Sequence, residues 1–192
     1  NTETSANFVD PAQAPEKFSE FVKRQIVIQD GKVIEDEKAY LIDVKKEKSQ
    51  AKNDSYSRKL PLFIGEKDGQ TIYVAPIYGK GLWDDIWGYV GLDKNMVIQG
   101  AYFDHKGETP GLGANSKESF FMDDFIGEHL LNDEGSFIGV TVAKGNADPR
   151  NDRKQDNKVD AIAGATITGD GVTAMIKGDL ALYKSYFDSL KQ

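Results

Sequence analysis

The residues with the clearest chemical potential are 160–168, which have the sequence D-A-I-A-G-A-T-I-T. Small side chains before Thr166 would let a ligand approach the backbone closely. Thr166 stands near the predicted start of the last helix, where unpaired N–H groups and the positive end of the helix dipole stabilise a phosphate. The chemistry that these residues permit at Thr166 is therefore a phosphoester. The alternative is an ordinary helix cap, with Thr166 or Thr168 as the N-cap, and local physics alone favours that alternative.

Two segments nearer the N-terminus also contain residue types that suit a bound cofactor. Residues 105–114 have the sequence H-K-G-E-T-P-G-L-G-A, in which glycines permit close approach and Glu108 offers a hydrogen-bonding group. The alternative is a Pro/Gly turn with a solvated glutamate. Residues 78–83 have the sequence Y-G-K-G-L-W, where Leu82 and Trp83 either offer an apolar surface to a ligand or fill the core.

The three segments, taken in this order, resemble those of FMN-binding domains. D-A-I-A-G-A-T is similar to the family's flavinylation motif, an acidic residue followed by a small residue, Gly, Ala and Thr, and G-E-T-P-G-L-G-A is similar to the loop that lies beside the flavin. The resemblance implies that a separate flavin transferase attaches FMN to Thr166 through a phosphodiester bond. One residue departs from the family pattern: Ala163 stands where a small hydroxyl residue is often found.

Within that family, G-K-G-L-W is more similar to NqrC of the sodium-translocating NADH:quinone reductase than to its counterpart in the Rnf complex, RnfG. The resemblance spans roughly residues 60–185 and implies an electron carrier that acts with the other subunits at the bacterial inner membrane, facing the periplasm. Direct NADH oxidation by this chain is not expected, since no NAD site is visible. The alternatives are the Rnf protein, an FMN domain of a soluble reductase, and a scaffold that carries no flavin.

The resemblance also assigns the residues that contact the cofactor, and it implies neither a catalytic side chain nor a metal. Lys144 is expected to face the phosphate, and the backbone around Leu112 to hydrogen-bond the ring or the ribityl chain. The expected cofactor site comprises Leu82, Trp83, Glu108, Thr109, Leu112, Gly113, Lys144, Gly164, Ala165, Thr166, Ile167 and Thr168.

Composition narrows the class of protein. The chain has 24 basic and 31 acidic residues, a net charge of -7, and no basic stripe, which argues against a nucleic-acid partner. Cysteine is absent, so disulfides, thiolate catalysis and iron–sulfur clusters are excluded. No apolar run approaches the roughly 20 residues that cross a bilayer. Because the chain begins at Asn1 without a Met, we expect that an N-terminal membrane anchor has been removed.

The elements that must position these residues follow from periodicity and turn signals. We expect one domain over residues 1–192, with an α+β fold, a mainly antiparallel twisted sheet and packed helices. Asp-Gly turns at 30–31 and 68–69 predict two hairpins. Helices are predicted at 14–28, 116–131 and 168–190, further strands at 89–92, 96–103 and 137–142, and solvated segments at 45–59 and 144–158. Residues 169–174 match the dinucleotide pattern G-x-G-x-x-A only weakly, because no second strand follows.

Overall fold

The structure is a computed structural model that describes residues 21–80, 85–105, 125–143, 158–160 and 166–190. Within these residues, six antiparallel strands form one sheet in the order β2-β1-β3-β4-β5-β6, and two parallel strands, β7 and β8, form a second. The strands are β1 Val22–Gln29, β2 Lys32–Glu35, β3 Leu60–Lys67, β4 Gln70–Lys80, β5 Asp85–Leu92, β6 Ile98–His105, β7 Thr141–Ala143 and β8 Lys158–Asp160. The fold class is α+β, as the sequence predicted.

The helical elements are short, except at the C-terminal end. A 3-10 turn covers Ala39–Leu41, and helix α1 covers Val44–Gln50. Helix α2 covers Thr166–Met175 and continues as a π-helical turn at Ile176–Leu180, a 3-10 turn at Ala181–Tyr183 and helix α3 at Lys184–Ser189. The predicted final helix is thus confirmed in place, although its hydrogen-bond pattern changes along its length.

The main core lies between the large sheet and the C-terminal helical elements. Its fully buried side chains include Ile77, Ile86, Phe103, Met175 and Tyr183. Burial of each such side chain contributes about 1.5–3 kcal/mol. A smaller cluster, which includes Val27, Phe63 and Val74, covers the other face of the sheet.

Strand β1 corrects the helix that we predicted for residues 14–28. From Val22 onward the chain is a strand that pairs with β2 on one side and with β3 on the other. Ile26, Val27 and Ile28 are all buried, because β1 has apolar clusters on both faces. Consecutive β-branched residues suit such a strand, and this tertiary environment outweighs the helical spacing.

Two segments beyond β6 also differ from the prediction. Gly127 has a φ of 87° and its N–H donates to the Ile98 carbonyl at 2.7 Å, so residues 125–131 form turns and bridges instead of a helix. The strand predicted for 137–142 shortens to β7, since Gly139, with a φ of 76°, interrupts extended backbone. These glycines adopt a conformation that other residues rarely adopt.

The segment 45–59, which we predicted to be mostly solvated, begins with helix α1. Asp43 is the N-cap of α1, and its side chain accepts a hydrogen bond from the Lys46 N–H at 3.0 Å. Glu47 is buried and accepts hydrogen bonds from the Tyr56 hydroxyl and the Lys59 N–H, both at 2.7 Å. The charged composition therefore conceals a folded helix.

Candidate functional site

Three strand ends meet at one end of the large sheet. The register pairs Lys80 of β4 with Asp85 of β5, and Ile86 of β5 with His105 of β6. Residues 81–84 follow directly on Lys80, and residues 106–113 follow directly on His105. Both segments expected beside the cofactor therefore leave the sheet at the same end.

Helix α2 crosses this end of the sheet at very short range. A Cβ added to Gly171 would lie 2.5 Å from the Lys80 carbonyl oxygen, and a Cβ added to Gly79 would lie 2.9 Å from the Met175 Cβ. Real Cβ atoms essentially never come so near to other atoms, so both positions require glycine at this separation. The glycines set the distance between α2 and the end of β4.

The small parallel sheet brings two more predicted segments to the same helix. β7 and β8 end together, with Ala143 paired to Asp160. The Val142 N–H donates to the Thr173 hydroxyl oxygen of α2 at 2.9 Å. Lys144 follows β7 directly, and residues 161–165 connect β8 to α2. Every segment assigned to the site therefore adjoins a described element that contacts α2 or the strand ends beneath it.

The predicted site residues fall into two groups. Thr166, Ile167 and Thr168 are the first residues of α2, so both threonines lie inside the helix rather than at the N-cap position. The others lie outside the described residues: Leu82, Trp83, Glu108, Thr109, Leu112, Gly113, Lys144, Gly164 and Ala165. Their assignment to the cofactor stays a prediction.

A cluster of charged groups surrounds Tyr78, close to the end of β4. The Asp85 carboxylate accepts hydrogen bonds from Lys45 at 2.6 Å, Lys80 at 2.7 Å and the Tyr78 hydroxyl at 2.5 Å. These three donors, Lys45 first, hold the pKa of Asp85 well below its ordinary value. The same carboxylate raises the pKa of Lys45 and of Lys80, so all three groups are charged at neutral pH.

The residues present are compatible with a phosphate at the start of α2. The first turn of α2 has no acidic residue that would repel an anion. Its leading N–H groups have no partner within the helix. The first turns of α2 also lie close to the end of β4, where the side chains of Lys45 and Lys80 are more than half exposed. This end of the molecule offers positive groups to a phosphate.

Comparison with known proteins identifies the family. The family model described as FMN-binding domain matches residues 81–180, more than half of the chain. The chain belongs to the FMN-binding domain family. The matched residues run from the segment after β4 to the end of the π-helical turn, so the domain match spans every predicted contact with the cofactor.

Relatives narrow the likeness of this FMN-binding domain to NqrC, a component of the Na(+)-translocating NADH-quinone reductase. It is 36% identical over 115 residues to NqrC from Yersinia pestis and 35% identical over 146 residues to NqrC from Chlamydia muridarum. These alignments cover 58% and 69% of the chain but 41% and 46% of the relatives, so the chain spans less than half of either relative's length.

The fold of this FMN-binding domain matches crystal structures over almost its whole length. NqrC from Parabacteroides distasonis superposes with a TM-score of 0.78 at 30% identity, covering 97% of this chain and 90% of that one. NqrC from Shewanella oneidensis superposes with a TM-score of 0.74 at 28% identity, covering 99% and 94%. The expected resemblance to NqrC is confirmed.

Sequence analysis missed several residues that build this end of the domain. Lys45 and Asp85 are 40 positions apart, and no local spacing indicates that they pair. Gly171 had drawn attention only through a weak dinucleotide pattern, whereas its role in the structure is close packing against β4. Within the described residues, no group of three or more His, Cys, Asp or Glu side chains could hold a metal ion.

Proposed function

We propose that this FMN-binding domain carries FMN covalently on Thr166 and serves as the electron carrier NqrC of a Na+-translocating NADH:quinone reductase. The observation that carries the proposal is the place of Thr166 as the first residue of α2, directly after the D-A-I-A-G-A sequence. A flavin phosphate on its hydroxyl would lie at the positive end of the helix dipole. The family match and the resemblance to NqrC proteins support the same conclusion.

The chain's own residues would bind and orient the cofactor. The N–H groups of the first turn of α2 are suited to hold the phosphate, and Lys144, which follows β7, is the predicted counter-charge. Leu82 and Trp83 follow the end of β4 and would supply an apolar surface for the ring. Glu108, Thr109 and the backbone of Leu112 and Gly113 would supply its hydrogen bonds.

Covalent attachment has a clear physical use in an electron carrier. When bound, FMN supplies redox chemistry that no side chain of this sequence provides. A bond to Thr166 Oγ turns cofactor binding into an intramolecular contact, so the flavin stays bound even where few groups contact its ring. The ring edge can then remain accessible to neighbouring subunits.

The cellular setting is part of the proposal. The partners are the other subunits of the reductase and the flavin transferase that matures the domain, and the domain faces the periplasm from an inner-membrane anchor preceding Asn1. The printed names of the relatives support a sodium-translocating NADH-quinone reductase. Among the described residues, no helix is both long enough and apolar enough to span a bilayer.

The test is the mass of the intact protein after co-expression with a flavin transferase and denaturation. In the proposed reaction a bond forms between Thr166 Oγ and the flavin phosphorus as the hydroxyl loses its proton, so the mass should rise by FMN less one water. Thr166→Ala should abolish the adduct and Thr166→Ser should retain it. Thr168→Ala, one position beyond the neighbouring Ile167, is the matched control and should be modified fully.

Two results would contradict the proposal. An adduct that persists in Thr166→Ala, on Thr168 or elsewhere, would overturn the acceptor assignment. An unmodified parent protein, made with an active transferase, would favour a scaffold that carries no flavin.

A further inference from the structure

The last residues of β4 extend past the start of β3, which leaves Tyr78 without a strand on that side. The register pairs Phe63 with Val74, so the first residue of β3, Leu60, is level with Ile77. Side chains satisfy the backbone of Tyr78 instead. Its N–H donates to Asp179 Oδ2 at 2.8 Å, and its carbonyl oxygen accepts from Lys48 Nζ at 2.5 Å.

Asp179 makes this contact from an unusual position. Its side chain is only 2% exposed and lies in the π-helical turn that continues α2. The wider π turn changes the direction of the side chains on that stretch, and such turns are frequent at functional sites. Lys48 Nζ at 2.9 Å and Arg58 Nη2 at 3.5 Å balance its charge, as a buried carboxylate requires.

Helix α1 links this contact to the neighbouring strand end. Lys45 and Lys48 lie three residues apart and therefore on the same face of α1. Lys48 bonds to Asp179, whereas Lys45 bonds to Asp85, which pairs with Lys80 at the end of β4. The ammonium groups of Lys45, Lys48 and Lys80 lie 5.8–5.9 Å from the centroid of the Tyr78 ring.

We propose that Lys48 and Asp179 are positioning residues of the flavin site, which hold the end of β4 at a fixed place against α2. The proposal rests on the proposed function, since it assumes a flavin at the start of α2. Gly79 and Gly171 let strand and helix approach closely, but close packing alone does not fix how far the strand end slides along the helix. Bonds from Tyr78 to Asp179 and Lys48 fix that position, and with it the point from which residues 81–84 depart.

The test compares Lys48→Met with Lys46→Met, a matched control on the exposed side of α1. In protein without flavin, the Tyr78 amide should exchange about 10-fold faster in Lys48→Met, the effect of weakening a bond to a charged acceptor. In flavinylated protein, Lys48→Met should keep the covalent adduct but lower the visible circular dichroism of the flavin by at least half and shift its midpoint potential. Lys46→Met should match the parent in all measurements.

Rescue separates positioning from a general loss of stability. Lys48→Arg keeps a charged donor and should restore most of the flavin dichroism, although the guanidinium is not an exact replacement. If Lys48→Met does not fold, Asp179→Asn is the second variant. It keeps an oxygen for the Tyr78 N–H but removes the charge, and it should change the flavin spectrum in the same direction.

The outcomes distinguish this proposal from the function on which it rests. A folded Lys48→Met protein with the parent's flavin dichroism, potential and Tyr78 exchange would overturn the positioning role, as would an equal change in Lys46→Met. If the parent itself carries no flavin, the proposed function fails. The exchange of the Tyr78 amide then still decides whether Lys48 holds the strand end.

Discussion

The two ends of the β-sheet hairpins are held by different kinds of interaction. At the β1–β2 turn, Asp30 and Gly31 have φ values of 54° and 75°, and nothing lies within 4 Å of a Cβ added to Gly31. At the far end of β4, glycines at 79 and 171 have no room for a Cβ, and Tyr78 bonds to a residue 101 positions away. The first end is set by its own two turn residues, and the second by partners distant in the sequence.

This difference separates local instructions from long-range ones. Both central residues of the β1–β2 turn have positive φ, as a type I′ turn requires, and an Asp-Gly pair adopts it readily. The end of β4 instead depends on α2, on helix α1 and on the buried Asp179. We expect substitutions at the β4 end to cost much more than those in the hairpin.

The largest effect is expected for Gly171→Ala. The new Cβ would lie 2.5 Å from the Lys80 carbonyl oxygen and 3.3 Å from Ile86 Cδ1, so helix and strand must separate. Overpacking of this kind costs about 1–3 kcal/mol. Urea denaturation should show that loss in the free energy of unfolding, even though alanine favours a helix.

Gly178→Ala is the matched control in the same helical region. Nothing lies within 4 Å of a Cβ added there, so the substitution should be neutral or should stabilise the protein by up to about 1 kcal/mol. Equal losses for Gly171→Ala and Gly178→Ala would show that helix propensity, and not close approach to β4, governs these glycines.

A smaller and pH-dependent effect is expected for Asp85→Asn. Hydrogen bonds from Lys45, Lys80 and Tyr78 lower the pKa of Asp85 in the folded protein below its ordinary value of 3.8. The ionised carboxylate therefore stabilises the fold above about pH 4, and this contribution is lost as the pH falls through the lower folded pKa. The parent should be more stable than Asp85→Asn at pH 7, by less than Gly171→Ala costs.

Acid titration of the same two proteins completes that prediction. The difference in free energy of unfolding between parent and Asp85→Asn should narrow below pH 4, because the parent loses its ionised carboxylate there. Asp188→Asn, which breaks the exposed pair with Lys184, removes the same charge and should have little effect at pH 7. A difference for Asp85→Asn that is constant from pH 7 to 2 would contradict the role of the ionised group.

Sequence reasoning succeeded where the instruction is local. The turns at Asp30-Gly31 and Asp68-Gly69 were predicted from residue type, and all four residues have positive φ. Strands β3 and β4 and the C-terminal helical region were also predicted close to their observed places. In each case a propensity or a turn signal acts over a few neighbouring residues.

It failed where partners distant in the sequence decide the structure. Residues 22–28 have helical spacing, but pairing with β3 makes them a strand. Neither the burial of Asp179 nor the lack of space at Gly171 has a local signature. For the candidate site, sequence motifs named the acceptor and the loops, whereas the cluster beneath them came only from the fold.

The smallest effect is expected for the ion pair between Arg24 and Glu35 on the β1–β2 hairpin. Both side chains are about half exposed or more, so water and salt screen the attraction. Glu35→Gln, Arg24→Gln and the double variant form a thermodynamic cycle in which the coupling energy should be less than about 0.5 kcal/mol. A coupling above ~1 kcal/mol, measured by urea denaturation, would contradict a hairpin that is set by its turn. Residues far from the turn would then contribute to this end as they do at the end of β4.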